Sequence, residues 1–171
     1  MKYHFVPMND EYAKIIVKQW KYEPEYSIHD YENEADHILD KDSWGIGLFA
    51  VLNEDDELVG ELTIEFFDKN DNCVEYEDFN KVNLNDAEMW VGFGLKPELT
   101  GRGLGLEFIT ACINYALKAY TYEGEAVRLG VPAFNERAQK VYKRLGFEEF
   151  NRIEGEIEEK KFEAVQMKKF L

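Results

Sequence analysis

Three glycines lie close together at the point where a predicted buried strand leads into a predicted helix. Residues 96–105 read KPELTGRGLG, with glycine at positions 101, 103 and 105. Glycine lacks the Cβ atom that would keep a ligand from the backbone, and the first turn of a helix presents free N–H groups at the positive end of its dipole. This pattern favours a phosphate or pyrophosphate site. A tight turn that needs glycine for its geometry alone explains it equally well.

Other phosphate-binding motifs fit this chain less well. The sequence contains no GxxxxGK[ST] segment, and the glycine spacing is not GxGxxG. The predicted hairpin before the glycine turn also differs from the first βαβ unit of a dinucleotide-binding fold. A nucleoside triphosphate or a dinucleotide is therefore not the expected ligand.

A second pattern lies on the next predicted helix. Asn135, Ala138 and Tyr142 recur three and four residues apart, so they share one helical face. One interpretation is that this face presents polar groups to a site. The other is that Asn135 caps the helix and Tyr142 is an ordinary core aromatic.

The elements that must position these residues follow from hydrophobic periodicity and turn signals. The chain of 171 residues predicts one domain. Residues 21–31 are irregular and aromatic, which suggests a lid, and residues 68–86 form a long loop with a helical turn near 77–80. Strands are predicted at 4–7, 44–52, 58–67, 87–95, 126–131, 147–153 and 162–170, and helices at 11–20, 32–39, 106–123 and 135–145.

The two motifs, in this order and with this separation, resemble the GNAT superfamily of N-acetyltransferases. The resemblance covers nearly the whole chain and includes Pro97 before the glycine turn and Gly146-Phe147 after the second motif. It implies an α/β (α+β) fold with a central mixed, mostly antiparallel sheet of six to seven strands, flanked by about four helices. It also implies a single domain over residues 1–171.

The resemblance implies that the cofactor is acetyl-CoA. The family's acyl-CoA loop, Q/R-x-x-G-x-G/A, corresponds to residues 100–105, and Thr100 departs from it at the first position. The loop amides would bind the pyrophosphate, the pantetheine arm would pair with residues 93–95 at a splay between strands, and Asn135 would bond to that arm or order its helix. The residues expected to bind the cofactor are Phe93, Gly94, Leu95, Thr100, Gly101, Arg102, Gly103, Leu104, Gly105 and Asn135.

Acetyl transfer by direct attack in a ternary complex needs a neutral amine, an oxyanion donor and a proton for the departing thiolate. By the resemblance, Tyr142 lies near the thioester sulfur, and its ordinary pKa of about 10 keeps it protonated at neutral pH. A backbone N–H near Leu95 would polarise the carbonyl. Glu88, which begins the strand before the glycine turn, is the first candidate for the base, with Glu65, His29 or a chain of waters as alternatives.

The acceptor is expected to be a cationic amine. Residues 1–90 carry 7 basic and 23 acidic side chains, and the predicted lid displays Trp20, Tyr22, Tyr26 and Tyr31. Aromatic faces and carboxylates attract ammonium groups. A polyamine, an amino sugar or a protein amine would fit, although the same residues could form a packed lid with a solvated rim.

Composition excludes several other classes of function. A net charge of −15 argues against nucleic acid and anionic membranes as partners. Two distant cysteines suggest neither a disulfide framework nor a metal site, and we expect no signal peptide or membrane span, which together predict a cytoplasmic protein.

Three matters stay open from the sequence. A non-catalytic acyl-CoA sensor on the same fold would also need the glycine loop, and it is the main alternative to an enzyme. A domain used purely for protein interaction would leave both motifs as coincidence. The two closing strands offer an edge at which a second copy could pair, so a homodimer is a further expectation.

Overall fold

Seven strands form one mixed sheet in the computed structural model, which describes residues 2–171. The order across the sheet is β1-β2-β3-β4-β5-β7-β6, and every neighbouring pair is antiparallel except β4 and β5. This topology confirms the predicted sheet. The strands are β1 His4–Pro7, β2 Leu48–Leu52, β3 Leu58–Phe67, β4 Glu88–Leu95, β5 Ala126–Pro132, β6 Glu148–Ile157 and β7 Lys160–Phe170.

Four α-helices flank the sheet, as predicted. They are α1 Asp10–Gln19, α2 Ala35–Leu39, α3 Gly105–Ala119 and α4 Glu136–Arg144. Short 3₁₀ segments occupy the connections, including Pro24–His29 and Tyr31–Glu34 in the predicted lid and Pro97–Leu99 before the glycine turn. No helix of residues 2–171 is long and apolar enough to cross a membrane.

Strand β2 begins four residues later than the hydrophobic run predicts. The amides of Ile46 and Gly47 both donate to the carbonyl of Ser43, and Gly45 adopts a φ of +77°. These bonds close a turn, and a left-handed residue cannot continue a strand. Hydrophobicity alone therefore places the start of this strand too early.

The two faces of the sheet carry two separate cores. One face packs against α3, whose buried stripe includes Phe108, Cys112 and Ala116. The other face packs against α1 and α2, where Ile16 and Ile38 are fully buried. Each helix therefore buries the apolar stripe that its periodicity predicts.

The parallel pairing between β4 and β5 is short. The register pairs Met89 with Val127 and Trp90 with Arg128, and the ladder ends there. From that point β4 continues along β3 as far as Leu95, while β5 continues along β7. The two strands therefore separate, and we call the gap between residues 91–95 and 129–132 the strand opening.

Ion pairs and hydrogen bonds stabilise the closed end of this ladder, where β4 and β5 remain paired. The Arg128 guanidinium lies 3.1 Å from one oxygen of Glu88 and 2.9 Å from Asp71, and the Lys168 ammonium lies 2.8 Å from the other Glu88 oxygen. The buried Tyr122 hydroxyl is 2.7 Å from the carbonyl oxygen of Ala87. The strand opening is therefore local, because these interactions hold β4 and β5 together at the paired end of the ladder.

Candidate active site

The strand opening brings β4 and α4 together. The ring of Phe93 on β4 lies 6.2 Å, centroid to centroid, from the ring of Tyr142 on α4, and Tyr142 also packs against Phe147. Tyr142 is buried, and this desolvation raises the pKa of its hydroxyl well above the usual range. Tyr142 therefore stays protonated across the neutral range and can act as a proton donor.

The glycine turn has a backbone that requires glycine. Gly101 and Gly103 adopt φ values of +72° and +78°, in the left-handed region that costs side-chain-bearing residues roughly 1–2 kcal/mol. A Cβ atom on Gly103 would meet no other atom within 4 Å, so the space beside it is open. Thr100, where the sequence departs from the family pattern, donates its hydroxyl proton to the carbonyl of Pro97 at 2.7 Å and so supports the turn.

The N-terminus of α3 differs from the two other long helices. Asn9 caps α1 by accepting from the amide of Tyr12, and Asn135 caps α4 in the same way from Ala138. At α3 the capping position is Leu104, which supplies no side-chain bond. The start of α3 thus has no side-chain cap from Leu104, and the positive end of a helix dipole suits an anion.

A guanidinium group lies beside this helix end. The nearest atom to a Cβ placed on Gly101 would be Nη1 of Arg137, at 3.3 Å. The turn thus combines an open backbone, a helix N-terminus without a side-chain cap and a cation, and it fits the pyrophosphate of coenzyme A. Arg137 lies in the first turn of α4, which places its guanidinium there.

Asn135 takes the simpler of its two predicted roles in this structure. Its side chain accepts a 3.1 Å hydrogen bond from the amide of Ala138. That bond orders the start of α4 and therefore the position of Tyr142 further along the helix. A direct bond to the pantetheine arm stays a prediction.

A buried carboxylate, Glu61, lies on the side of β4 that pairs with β3, and the sequence did not predict it as a site residue. The register pairs Glu61 on β3 with Gly94, and Glu61 is only 4% exposed. The hydroxyl of Tyr31 donates to Oε1 of Glu61 at 2.9 Å. A Cβ on Gly94 would lie 1.7 Å from the Tyr31 hydroxyl and 3.0 Å from that same oxygen. The missing side chain of Gly94 thus provides the space for this pair.

The carboxylate belongs to a longer chain of hydrogen bonds. Oε2 of Glu61 accepts from the Thr63 hydroxyl at 3.2 Å, and the Thr63 oxygen lies 2.8 Å from Nε2 of His37 on α2. Burial raises the pKa of Glu61, and the nearby His37 and the two hydroxyl donors oppose the shift. Alternating polar residues at 61, 63 and 65 indicate that one face of β3 is polar, but nothing local indicates which residue of β4 it would face.

The four aromatic residues of the predicted lid divide into two pairs. Tyr22 and Tyr31 reach the site, since Tyr22 donates to the carbonyl of Leu95 at 3.0 Å and Tyr31 bonds to Glu61. Trp20 is 2% exposed and belongs to the core around α1, and Tyr26 lies under the guanidinium of Arg137 at 4.6 Å. The structure therefore brings two of the four to the opening.

The first candidate for the base, Glu88, lies elsewhere. It stands at the closed end of β4, about 20 Å along the strand from Gly94. Both of its carboxylate oxygens are engaged by cations, as described above. Another candidate, His29, stacks on Phe134 with ring centroids 5.9 Å apart, and its buried Nε2 atom has no hydrogen-bond partner among residues 2–171.

The sequence and the fold place this chain among known acetyltransferases. The model of the acetyltransferase (GNAT) family matches residues 10–147, so the chain belongs to this family, whose members use acetyl-CoA. The protein is accordingly an acetyl-CoA-dependent acetyltransferase. Among curated proteins, no sequence matches the chain.

Solved structures with the same fold are distant in sequence. An aminoglycoside N(6')-acetyltransferase from Legionella pneumophila is 18% identical, with 99% of this chain and 94% of that chain covered and a TM-score of 0.67. A spermidine N-acetyltransferase chimera from Vibrio cholerae and hSSAT is 16% identical, with 99% and 96% covered and a TM-score of 0.68. A spermidine/spermine N-acetyltransferase from Vibrio cholerae is 17% identical, with 99% and 92% covered and a TM-score of 0.62.

Two glycines of β4 offer a matched test of the Gly94 contact. Gly94→Ala should destabilise the protein by about 1–3 kcal/mol, because the new methyl group displaces Tyr31. Gly92→Ala should be neutral or stabilising by up to about 1 kcal/mol, since its nearest neighbour would be Cβ of Thr63 at 3.5 Å. Urea unfolding of both variants measures the difference, and equal effects would contradict the packing described here.

The burial of Glu61 predicts a pH dependence of stability. Its pKa is raised in the folded state, so the charged form is disfavoured there and stability is lost as the pH rises through the folded-state pKa. Glu61→Gln removes this loss, so the variant should gain stability relative to wild type between pH 4 and pH 8. Urea unfolding at both values tests this, with the exposed Glu25→Gln as control. A stability difference that does not change with pH would refute it.

Proposed function

We propose that this protein transfers the acetyl group of acetyl-CoA to a primary amine of a cationic acceptor by direct attack in a ternary complex. The observation that carries the proposal is the strand opening, which has the glycine turn and the N-terminus of α3 at one end and Tyr142 against Phe93 within it. A thioester aligned along the opening would reach the tyrosine, and an amine could approach from the side of Glu61.

The bound cofactor would supply an acetyl thioester. The amides at the start of α3 and the guanidinium of Arg137 would hold its pyrophosphate, because these donors surround the open space at Gly101 and Gly103. Residues 93–95 are not paired with β5, so the backbone groups on that side, apart from the Leu95 carbonyl that Tyr22 binds, are available to pair with the pantetheine arm.

Tyr142 would give its proton to the departing thiolate. Its raised pKa keeps the hydroxyl protonated at neutral pH, so the proton is present when the thiolate departs. A backbone N–H near Leu95 would bind the oxygen of the acetyl carbonyl as negative charge accumulates on it.

The side of the strand opening at which the acceptor would bind favours a cationic substrate. Glu61, Tyr22 and Tyr31 lie together at the opening, and the first ninety residues carry most of the acidic side chains. Two of the structural neighbours are named for acetylation of spermidine and of aminoglycosides, both of which carry several ammonium groups. These observations support a polyamine or an amino sugar as the first acceptors to test.

Calorimetric titration tests the cofactor site directly. Wild type should bind acetyl-CoA with micromolar affinity, and ATP should bind much more weakly. Gly103→Glu should weaken acetyl-CoA binding at least about ten-fold, since it adds a negative charge and a strained residue at the phosphate site. Asn70→Glu, which adds the same charge on an exposed turn, should bind normally. Equal affinities of the two variants would place the cofactor elsewhere.

Removal of one hydroxyl tests the proposed acid. Tyr142→Phe should lower kcat by about 100-fold or more, the usual range for loss of an acid in proton transfer, and should leave the affinity for acetyl-CoA within about two-fold. Steady-state kinetics with spermidine or kanamycin, together with calorimetry, separates these two effects. An unchanged kcat in an active preparation would exclude Tyr142 as the acid.

A further inference from the structure

We propose that Glu61 accepts the proton of the acceptor ammonium and that Thr63 and His37 conduct this proton to solvent. The inference rests on the proposed function, because it concerns how the acceptor amine becomes neutral before it attacks. It names a base that differs from Glu88, Glu65 and His29, the side chains that the sequence suggests.

Glu61 lies at the right place to meet an acceptor. It pairs with Gly94, in the part of β4 that has left β5, and its Oε1 atom would be 3.0 Å from a Cβ on that glycine. Tyr31 holds this oxygen through a 2.9 Å bond. An amine that reaches the neighbouring backbone of Leu95 therefore arrives beside this carboxylate.

A continuous path leads from Glu61 to the surface. Its other oxygen is 3.2 Å from the Thr63 hydroxyl, which is 2.8 Å from Nε2 of His37. Glu61 and Thr63 are buried, at 4% and 6% exposure, whereas His37 is exposed on α2. The imidazole is thus the point at which this buried chain of hydrogen bonds meets water.

The proton transfers along this path balance. An ammonium N–H bond breaks as an O–H bond forms on Glu61, which leaves a neutral amine with a free electron pair. Once Glu61 is protonated, the Thr63 hydroxyl turns from Oε2 of Glu61 towards Nε2 of a His37 ring protonated at Nδ1. Thr63 then passes its proton to Nε2 as it accepts the proton of Glu61. The imidazolium releases the Nδ1 proton to water, and Glu61 is a carboxylate again. The hydroxyl between them both donates and accepts, as this exchange requires.

The titratable groups around Glu61 are compatible with its role as a general base. Tyr22 and Tyr31 face it from the lid, and His37 lies near it on α2. Burial is the largest influence on its pKa and raises it, which strengthens the carboxylate as a proton acceptor. The tyrosines are held in their neutral forms, because burial raises the pKa of each.

Three variants along the path, each with a control, test the proposal kinetically. Glu61→Gln removes the proton acceptor, and Glu65→Gln removes a rival carboxylate on the same face of β3. Thr63→Val removes the relay hydroxyl and Thr63→Ser restores it. His37→Gln removes the outlet, and His4→Gln changes an exposed histidine on β1. Each is first checked for acetyl-CoA binding by calorimetry, and turnover is measured with whichever of spermidine, kanamycin or a lysine peptide wild type acetylates fastest.

The proposal predicts a specific set of results. Glu61→Gln and Thr63→Val should lower kcat by about 100-fold and about ten-fold, and Thr63→Ser should recover most of the activity. The kcat of His37→Gln should be about ten-fold lower at low buffer concentration. It should recover when imidazole is added, because a soluble base can accept the proton in place of an exposed histidine. A Thr63→Val or His37→Gln variant as active as its control, or a greater loss in Glu65→Gln than in Glu61→Gln, would overturn it.

A measurement without cofactor keeps the two proposals separable. The ¹³C shift of the Glu61 carboxyl, followed by NMR in the free protein, should titrate above the ordinary range for glutamate and should change in Thr63→Val. If the Glu61 carboxyl titrates in the ordinary range for glutamate and its titration does not change in Thr63→Val, the proposed relay is overturned, even if the enzyme is active. Failure of wild type to bind acetyl-CoA or to acetylate any of the three amines would instead overturn the proposed function.

Discussion

The departure of β4 from β5 after Trp90 is the constraint on which the rest of the site depends. A strand that leaves its neighbour exposes N–H and C=O groups that must find other partners or remain in contact with water. The hydroxyl of Tyr22 takes one of these groups, the carbonyl of Leu95. The closed end of the ladder, with Arg128 between Glu88 and Asp71, keeps the separation local. The sheet thus carries a gap beside the last residues of β4, just before the glycine turn.

A buried carboxylate gives the two sides of this gap different chemistry. The side of α4 presents a protonated tyrosine and, at the glycine turn, the N-terminus of α3, which suit a thioester that carries a pyrophosphate group. The other side presents Glu61 under two tyrosines of the lid, which suits a cation. Burying a charge is costly unless it is hydrogen-bonded, and both oxygens of Glu61 have donors. The stability given up at this position is consistent with a functional role for the residue.

Sequence patterns predict the elements and one side of the site, because those signals are local. Glycine spacing locates the turn, and helical periodicity places Tyr142 on the inner face of α4. The other side depends on strand register, which is a long-range property. Nothing near Glu61 in the chain indicates that it faces Gly94. The position of Trp20 in the predicted first helix does agree with its place in the α1 core. The sequence predicts Gly94 as ligand-facing backbone, whereas its absent side chain makes room for Tyr31.

A crystal structure of the protein with coenzyme A tests the central claim most directly, namely that the strand opening holds the cofactor. We expect the pyrophosphate on the amides of residues 101–105, the pantetheine arm paired with residues 93–95, and the sulfur in contact with the hydroxyl of Tyr142. A cofactor bound outside the opening, or a β4–β5 ladder that closes beyond Trp90, would contradict the account.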